Sequence, residues 1–381
     1  MLYDRRRFRV CGRASIFYPK EQGAMTRALE IWIGGYGAKN EAGITRAELI
    51  PATGELFKTS EYSGIDDASF LRMNKAGTRL YAVSETNDHI DADGDQAEGG
   101  QIASFPIDAE TRKLGPGQFQ PTHGAHPCHL TLTPTEDWLA VSNYSGSSVT
   151  MYVIAPDTRP GPPSIRFRHS GSGPNEQRQE APHPHSVAFS PDGRYLFVPD
   201  LGMDKIMIYA RDPESMWSAY DAVSLEPGAG PRHLAFHPSG QTVYSVNELD
   251  STVTRFTHED GKLTRQESLS TLPASYKEES YCAEILVSPD GRFVYASNRG
   301  HDSIAVFQVD ESTAELRPAG HVSTRGKWPR NFALSPDGAW LIAANQNSDS
   351  VVLFRIEPQS GLPIYAGTEI AVSKPVCVLI R

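Results

Sequence analysis

The chain is predicted to be all-β: a seven-bladed β-propeller whose ring is closed by the C-terminal strand pairing with the N-terminal blade. Three observations predict it. First, one unit recurs six times; AEILVSPDGRFVYASNRGHDSIAVFQV at 283–309 is the clearest copy, and the others begin at Ser69, Cys128, His185, Arg232 and Arg330. The starts lie 59, 57, 47, 51 and 47 residues apart, close to the period of a propeller blade. Second, each copy is a set of short apolar alternations broken by turns such as Pro-Asp-Gly. Third, the two chain ends supply the missing pieces of a seventh unit. Each unit can bury its faces only against its neighbours, so the copies must stack into a ring.

Within a copy, AEILVS is an inner strand, and SPDG is a tight turn in which proline presets φ and glycine takes a positive φ. RFVYASN and SIAVFQV follow as second and third strands. A weaker outer strand precedes the next copy. Helical spacing is sustained nowhere. At the ends, KPVCVLI (374–380) reads as an inner strand, EIWIGGYG (30–37) as a second, and GITRAELIPATGEL (43–56) resembles SIAVFQVDESTAEL (303–316). Joining them makes the seventh blade and leaves no large free edge.

The chain has 381 residues, 39% of them hydrophobic, with 32 glycines, 28 prolines and a net charge of −10. A single propeller domain over 25–381 overrides the length prior for two or three domains. The acidic balance disfavours nucleic acid, and no apolar run is long enough to span a membrane. The four cysteines (Cys11, Cys128, Cys282, Cys377) lack metal spacing and read as free thiols of a reducing compartment. Residues 1–24 carry Arg5, Arg6, Arg7, Arg9 and Arg13 but lack the apolar core of an export signal. They are expected to be a disordered basic tail or an over-extended start before Met25, in a cytoplasmic protein. A monomer or weak homo-oligomer is expected.

Because the copies can be aligned, equivalent positions can be compared. In an antiparallel blade the start of the first strand and the end of the second lie at one end of the channel. The strand-one entries are Ser69, Cys128, His185, Arg232, Ala283, Arg330 and Val376; the strand-two ends are Tyr36, Glu85, Tyr144, Leu201, Glu248, Arg299 and Gln346. A scaffold alone would repeat one residue type at equivalent places. Here the type varies among His, Arg, Glu and Tyr, as a site requires. Arg232, Arg299 and Arg330 on consecutive blades predict a small anionic ligand, since guanidinium offers a fixed fork of donors to carboxylate or phosphate. The alternative is that each arginine pairs with a carboxylate and ties blades together. His183, His126, His129 and His233 flank the same mouth off the register; His129 and His233 would alternate onto the far side of their strands. His183 with His185 lacks a third ligand at a recognised zinc spacing, and no metal or cofactor is expected.

Two insertions interrupt the repeat. Residues 88–100 carry Asp91, Asp93 and Asp95 but miss the glycine and closing glutamate of an EF-hand, so a solvated insertion is expected. Residues 169–185 are polar and predict a mobile loop at the mouth.

The strings PHSVAFSPDGRYLFVPDLG, GPRHLAFHPSGQTVYSVNEL, AEILVSPDGRFVYASNRG and WPRNFALSPDGAWLIAANQ resemble the lactonase-type seven-bladed propellers. That family holds the bacterial propeller 6-phosphogluconolactonases and the fungal 3-carboxy-cis,cis-muconate lactonizing enzyme. The similarity covers about residues 30–381. It implies functional roles for His185, Arg232, Glu248 and Arg299, with Arg330 and Tyr36 as added substrate contacts; Glu85 and Tyr144 from the register, and His183 beside it, are also expected to contact substrate. It further implies a metal-independent lactonase acting on 6-phosphogluconolactone, with His185 or Glu248 as general base and arginines holding the anion. A carboxymuconate cyclase and a non-catalytic binding platform are the alternatives.

Overall fold

The computed structural model describes residues 27–90, 94–214 and 216–381. The expectations for residues 1–24, and for Asp91 and Asp93, lie outside the described residues.

Seven four-stranded antiparallel sheets form the ring. From the channel outward, blade 1 is Leu71–Met73, Arg79–Ser84, Gln101–Pro106 and Gln118–Pro121; blade 2 is Pro127–Leu132, Trp138–Asn143, Ser148–Ile154 and Pro160–Arg168. Blade 3 is Ala188–Phe189, Tyr195–Asp200, Lys205–Arg211 and Trp217–Ser224; blade 4 is Pro231–Phe236, Thr242–Asn247, Thr252–Glu259 and Lys262–Ser270. Blade 5 is Tyr281–Val287, Phe293–Arg299, Ser303–Val309 and Leu316–Ser323; blade 6 is Pro329–Leu334, Trp340–Asn345, Ser350–Ile356 and Pro363–Ala371. Blade 7 joins the chain ends: Pro375–Ile380 is innermost, followed by Leu29–Gly35, Ile44–Ile50 and Glu55–Tyr62. The closing register sets Trp32 opposite Leu379 and Ile33 opposite Val378, as the sequence predicts.

The turns follow the chemistry of their residues. In blade 3, Ser190 Oγ donates to Asp192 Oδ1 (2.5 Å) and accepts from the Tyr195 amide (3.0 Å), while Gly193 takes φ +72°. Ser288, Asp290 and Phe293 repeat these contacts in blade 5. Between the sheets, apolar side chains pack blade against blade. Phe293, Tyr295 and Val306 of blade 5 meet Phe332, Leu341 and Phe354 of blade 6, and Ile31 and Ile33 of blade 7 meet Ile342 and Leu353 of blade 6. Among the described residues no helix is long and apolar enough to cross a membrane. The acidic insertion adds a small hairpin, Asp88–Ile90 with Gln96–Glu98, beside blade 1.

Since the C-terminal strand is the inner strand of blade 7, deleting residues 374–381 should strip that blade of its channel edge and expose its neighbours. The truncated chain should aggregate or melt without cooperativity in a thermal scan. A melt as sharp as that of the full chain would contradict ring closure.

Candidate active site

One backbone contact, repeated around the ring, brings the strand-two ends to a single mouth. The amides of Tyr36, Glu85, Tyr144, Leu201, Glu248 and Gln346 donate to the carbonyls of Lys374, Asp67, His126, His183, Gly230 and Trp328, at 2.7–3.1 Å. Each acceptor lies two residues before a strand-one entry. Five of them have positive φ: Lys374, Asp67, His126, Gly230 and Trp328. Blade 5 differs, pairing Arg299 directly with Tyr281 in the ladder.

At the centre stands the Glu248 carboxylate, which is 3% exposed. Its Oε2 accepts from Arg232 Nε (3.0 Å) and pairs with Arg299 Nη2 (2.8 Å), and its Oε1 accepts from Arg178 Nη2 (2.6 Å). Burial on its own would raise the Glu248 carboxyl. Arg299, Arg232 and Arg178 outweigh that effect and hold it far below the usual carboxylate range. Arg232 is brought down to about 10 by burial and by Arg299 and Arg330. The inner pair also bonds backbone carbonyls: Arg232 Nη1 donates to Ala283 O (2.6 Å) and Arg299 Nη2 to Cys282 O (2.8 Å).

His185 Nε2 lies 3.9 Å from Glu248 Oε2, beyond direct hydrogen bonding. Burial, with Arg232, His233 and Arg330 nearby, pushes the imidazole well below its ordinary value, so the ring is neutral at physiological pH. Tyr144 stacks on His183 (4.3 Å between ring centres) and meets His185 edge-on (5.3 Å). His183 Nδ1 contacts Tyr144 O at 3.1 Å, and its Nε2 lies 3.3 Å from Glu180. Tyr36 donates to Glu85 (3.0 Å), and the Arg330 guanidinium lies 5.5 Å from the centre of the Tyr36 ring. Among the described residues no hydrogen bond or ion pair engages that guanidinium, although Glu85, Glu248 and Cys128 lie within electrostatic range. A cavity of about 10 Å³ beside it is lined by Ser69, Glu85, Cys128, Arg232 and Arg330, and the buried Ser69 Oγ has no partner.

All nine residues singled out in the sequence therefore gather at one mouth. Three findings were not anticipated. Arg178 comes from the 169–185 insertion, whose polar composition predicts mobility. That segment is pinned through Gln179, which is fully buried and bonds Leu201 O (2.9 Å) and Asp204 (2.7 Å). Only its polarity was legible; nothing in the sequence pairs Arg178 with Glu248. Next, His129 and His233 do not turn away from the channel. Bulges between Pro127 and His129 and between Pro231 and His233 break the alternation, so neighbours such as Arg232 and His233 both face inward. Their rings lie 5.1 Å apart, with His185 5.5 Å from His233. Finally, Glu284 joins this lower layer through His233 (2.9 Å). Among the described residues no group of three or more His, Cys, Asp or Glu side chains is placed to hold a metal ion.

Known proteins share the fold and much of the sequence. The family model described as "Lactonase, 7-bladed beta-propeller" matches residues 30–380. A 6-phosphogluconolactonase of Bacillus subtilis (strain 168) is 32% identical over 349 residues, covering 91% of this chain and 97% of that protein. One from Formosa agariphila is 34% identical over 313 residues, covering 80% and 86%. The solved structure of a periplasmic gluconolactonase from Pseudomonas aeruginosa superposes with a TM-score of 0.85 at 30% identity, covering 93% of this chain and 99% of that one. Fold, repeat and sequence agree: this chain belongs to the lactonase family of seven-bladed β-propellers.

Proposed function

We propose that the protein hydrolyses a sugar lactone, with 6-phosphogluconolactone as the favoured substrate. Relatives that bear the names 6-phosphogluconolactonase and gluconolactonase support this reading. The observation that carries it is a neutral, buried His185 at the same mouth as the Arg330 guanidinium, which no hydrogen bond or ion pair engages among the described residues.

A δ-lactone opens when water attacks the carbonyl carbon and the ring oxygen leaves as an alcohol. The attacking water would donate to His185 Nε2 and Glu248 Oε2, which lie 3.9 Å apart. Glu248, held by three guanidiniums, is too weak a base to take the proton. His185 takes it as the water adds, then returns it to the departing ring oxygen, so the proton count closes within one turnover. Arg330, whose charge acts on both His185 and Glu248, stabilises the negative charge that grows on the carbonyl oxygen. Arg178 lies further out, with its side chain 36% exposed, and receives the distal phosphate. Glu248 is the anion that keeps Arg232, Arg299 and Arg178 in place.

These roles separate in variants. In His185→Asn, kcat should fall at least about a hundredfold with little change in KM and an unchanged melting temperature. Wild-type kcat should show no decline as pH falls to the ordinary histidine value of about 6.5, because burial and the nearby Arg232 and Arg330 keep the imidazole neutral there. A decline centred near the ordinary histidine value would instead mark a solvated base. Spontaneous hydrolysis is subtracted in each case.

Glu248→Gln should leave the buried Arg232 and Arg299, and the partly exposed Arg178, without their anion and cost about 3–5 kcal/mol of stability. Glu248 stays ionised in the folded chain far below its unfolded value, so its stabilisation is present above about pH 4.5 and lost as pH falls further. A Glu248→Gln protein with wild-type melting temperature and a loss confined to kcat would make Glu248 the base.

Arg178→Gln should lower kcat/KM for 6-phosphogluconolactone by about 1–3 kcal/mol and leave plain gluconolactone nearly unaffected, while Arg330→Gln should impair both. Equal losses on both substrates in Arg178→Gln would remove the phosphate from Arg178.

A further inference from the structure

Beneath the arginine layer, hydrogen bonds link four blades and converge on one carboxyl, that of Glu284. The Val378 amide (blade 7) donates to Asn331 Oδ1 at 2.8 Å, which turns Asn331 Nδ2 (blade 6) onto Glu284 Oε2. Glu284 (blade 5) accepts a second bond at Oε1 from the Ile285 amide (3.0 Å), and His233 Nδ1 lies 2.9 Å from the same oxygen. On the other edge of the His233 ring, Nε2 is 3.1 Å from Arg232 Nη1.

Donor and acceptor rules then leave one assignment. A guanidinium has only N–H groups, so Arg232 donates and His233 Nε2 must offer its lone pair. The ring proton therefore sits on Nδ1 and points at Glu284. Every neighbour bonded to the Glu284 carboxyl is a donor. Burial pushes that carboxyl up to about 7, with Arg232 and Arg72 acting the other way. A proton on it would find no acceptor in this shell. His233 is itself kept neutral by burial and by Arg232 and Arg330.

We propose that His233 and Glu284 are positioning residues: they lock one tautomer of His233, which fixes Arg232 and, through it, the Glu248 carboxylate opposite His185. The kinetic consequence rests on the lactonase reading above. The tautomer does not.

The test uses the full chain labelled with ¹⁵N. Long-range ¹H–¹⁵N spectra of the ring nitrogens, with His233 assigned by its loss in His233→Gln, should show a protonated Nδ1 and a bare Nε2. An Nε2-protonated ring or an imidazolium would overturn the assembly, whatever the activity. In Glu284→Gln the Nδ1 proton should lose its anionic acceptor and its ¹H shift should move upfield, and kcat should drop about tenfold or more while KM and melting temperature change little. His233→Gln can still accept from Arg232 and donate to Glu284, so it should retain more kcat than His233→Leu of similar size. Unchanged kcat in Glu284→Gln, or equal kcat losses in the two His233 variants, would reduce both residues to packing. Absence of lactonase activity in the wild-type chain together with the Nδ1 tautomer would overturn the substrate reading and leave the assembly standing.

Discussion

A single buried carboxylate, Glu248, holds the active mouth together. Three guanidiniums meet on it from places far apart in the chain: Arg178 in an insertion, Arg232 at the start of blade 4 and Arg299 at the end of a blade 5 strand. Stripping water from any one of these charges alone costs several kcal/mol. Together they satisfy one another, and the carbonyls of Cys282 and Ala283 take donors that remain. The cluster thus fixes the relative placement of three chain segments at the point where the chemistry is proposed.

The ring makes such convergence possible. Its repeated amide-to-carbonyl contact brings the ends of six second strands to the same rim, the blade 5 ladder brings the seventh, and the apolar seams between blades keep the rims aligned. Seven equivalent positions then become seven places at which one residue can change without disturbing the others. Blade 4 supplies the carboxylate, blade 6 the Arg330 guanidinium, and the entry to blade 3 the histidine. The tight bonding of Arg232 and Arg299 within the cluster also divides labour among the arginines. Under the proposed function those two act as scaffold, and Arg330 and Arg178 take the ligand.

The repeat made the fold legible to a high degree, since period, turn residues and the two chain ends together specify blade number and closure. The register comparison located Glu248, Arg232, Arg299, Arg330 and His185 because a repeat supplies its own reference for each position. It failed where the backbone leaves the repeat. Strict alternation sends His233 away from the channel, but a bulge after Pro231 turns it inward beside Arg232. Glu284 sits in blade 5, where a register shift between Cys282 and Ile285 has the same effect. Arg178 lies in a segment with no counterpart among the copies, so comparison offers no reference for it. Bulges and insertions leave little trace in apolar periodicity, and here they carry the second layer of the site.

If Glu248 is the scaffold and Arg330 and Arg178 the ligand-binding arginines, a crystal structure with 6-phosphogluconate, the hydrolysis product, tests the assignment directly. The product carboxylate should lie between His185 and Arg330, its phosphate should bond Arg178, and the Glu248 contacts to Arg232 and Arg299 should persist. A phosphate seated on Arg232 and Arg299 with Glu248 displaced would contradict it.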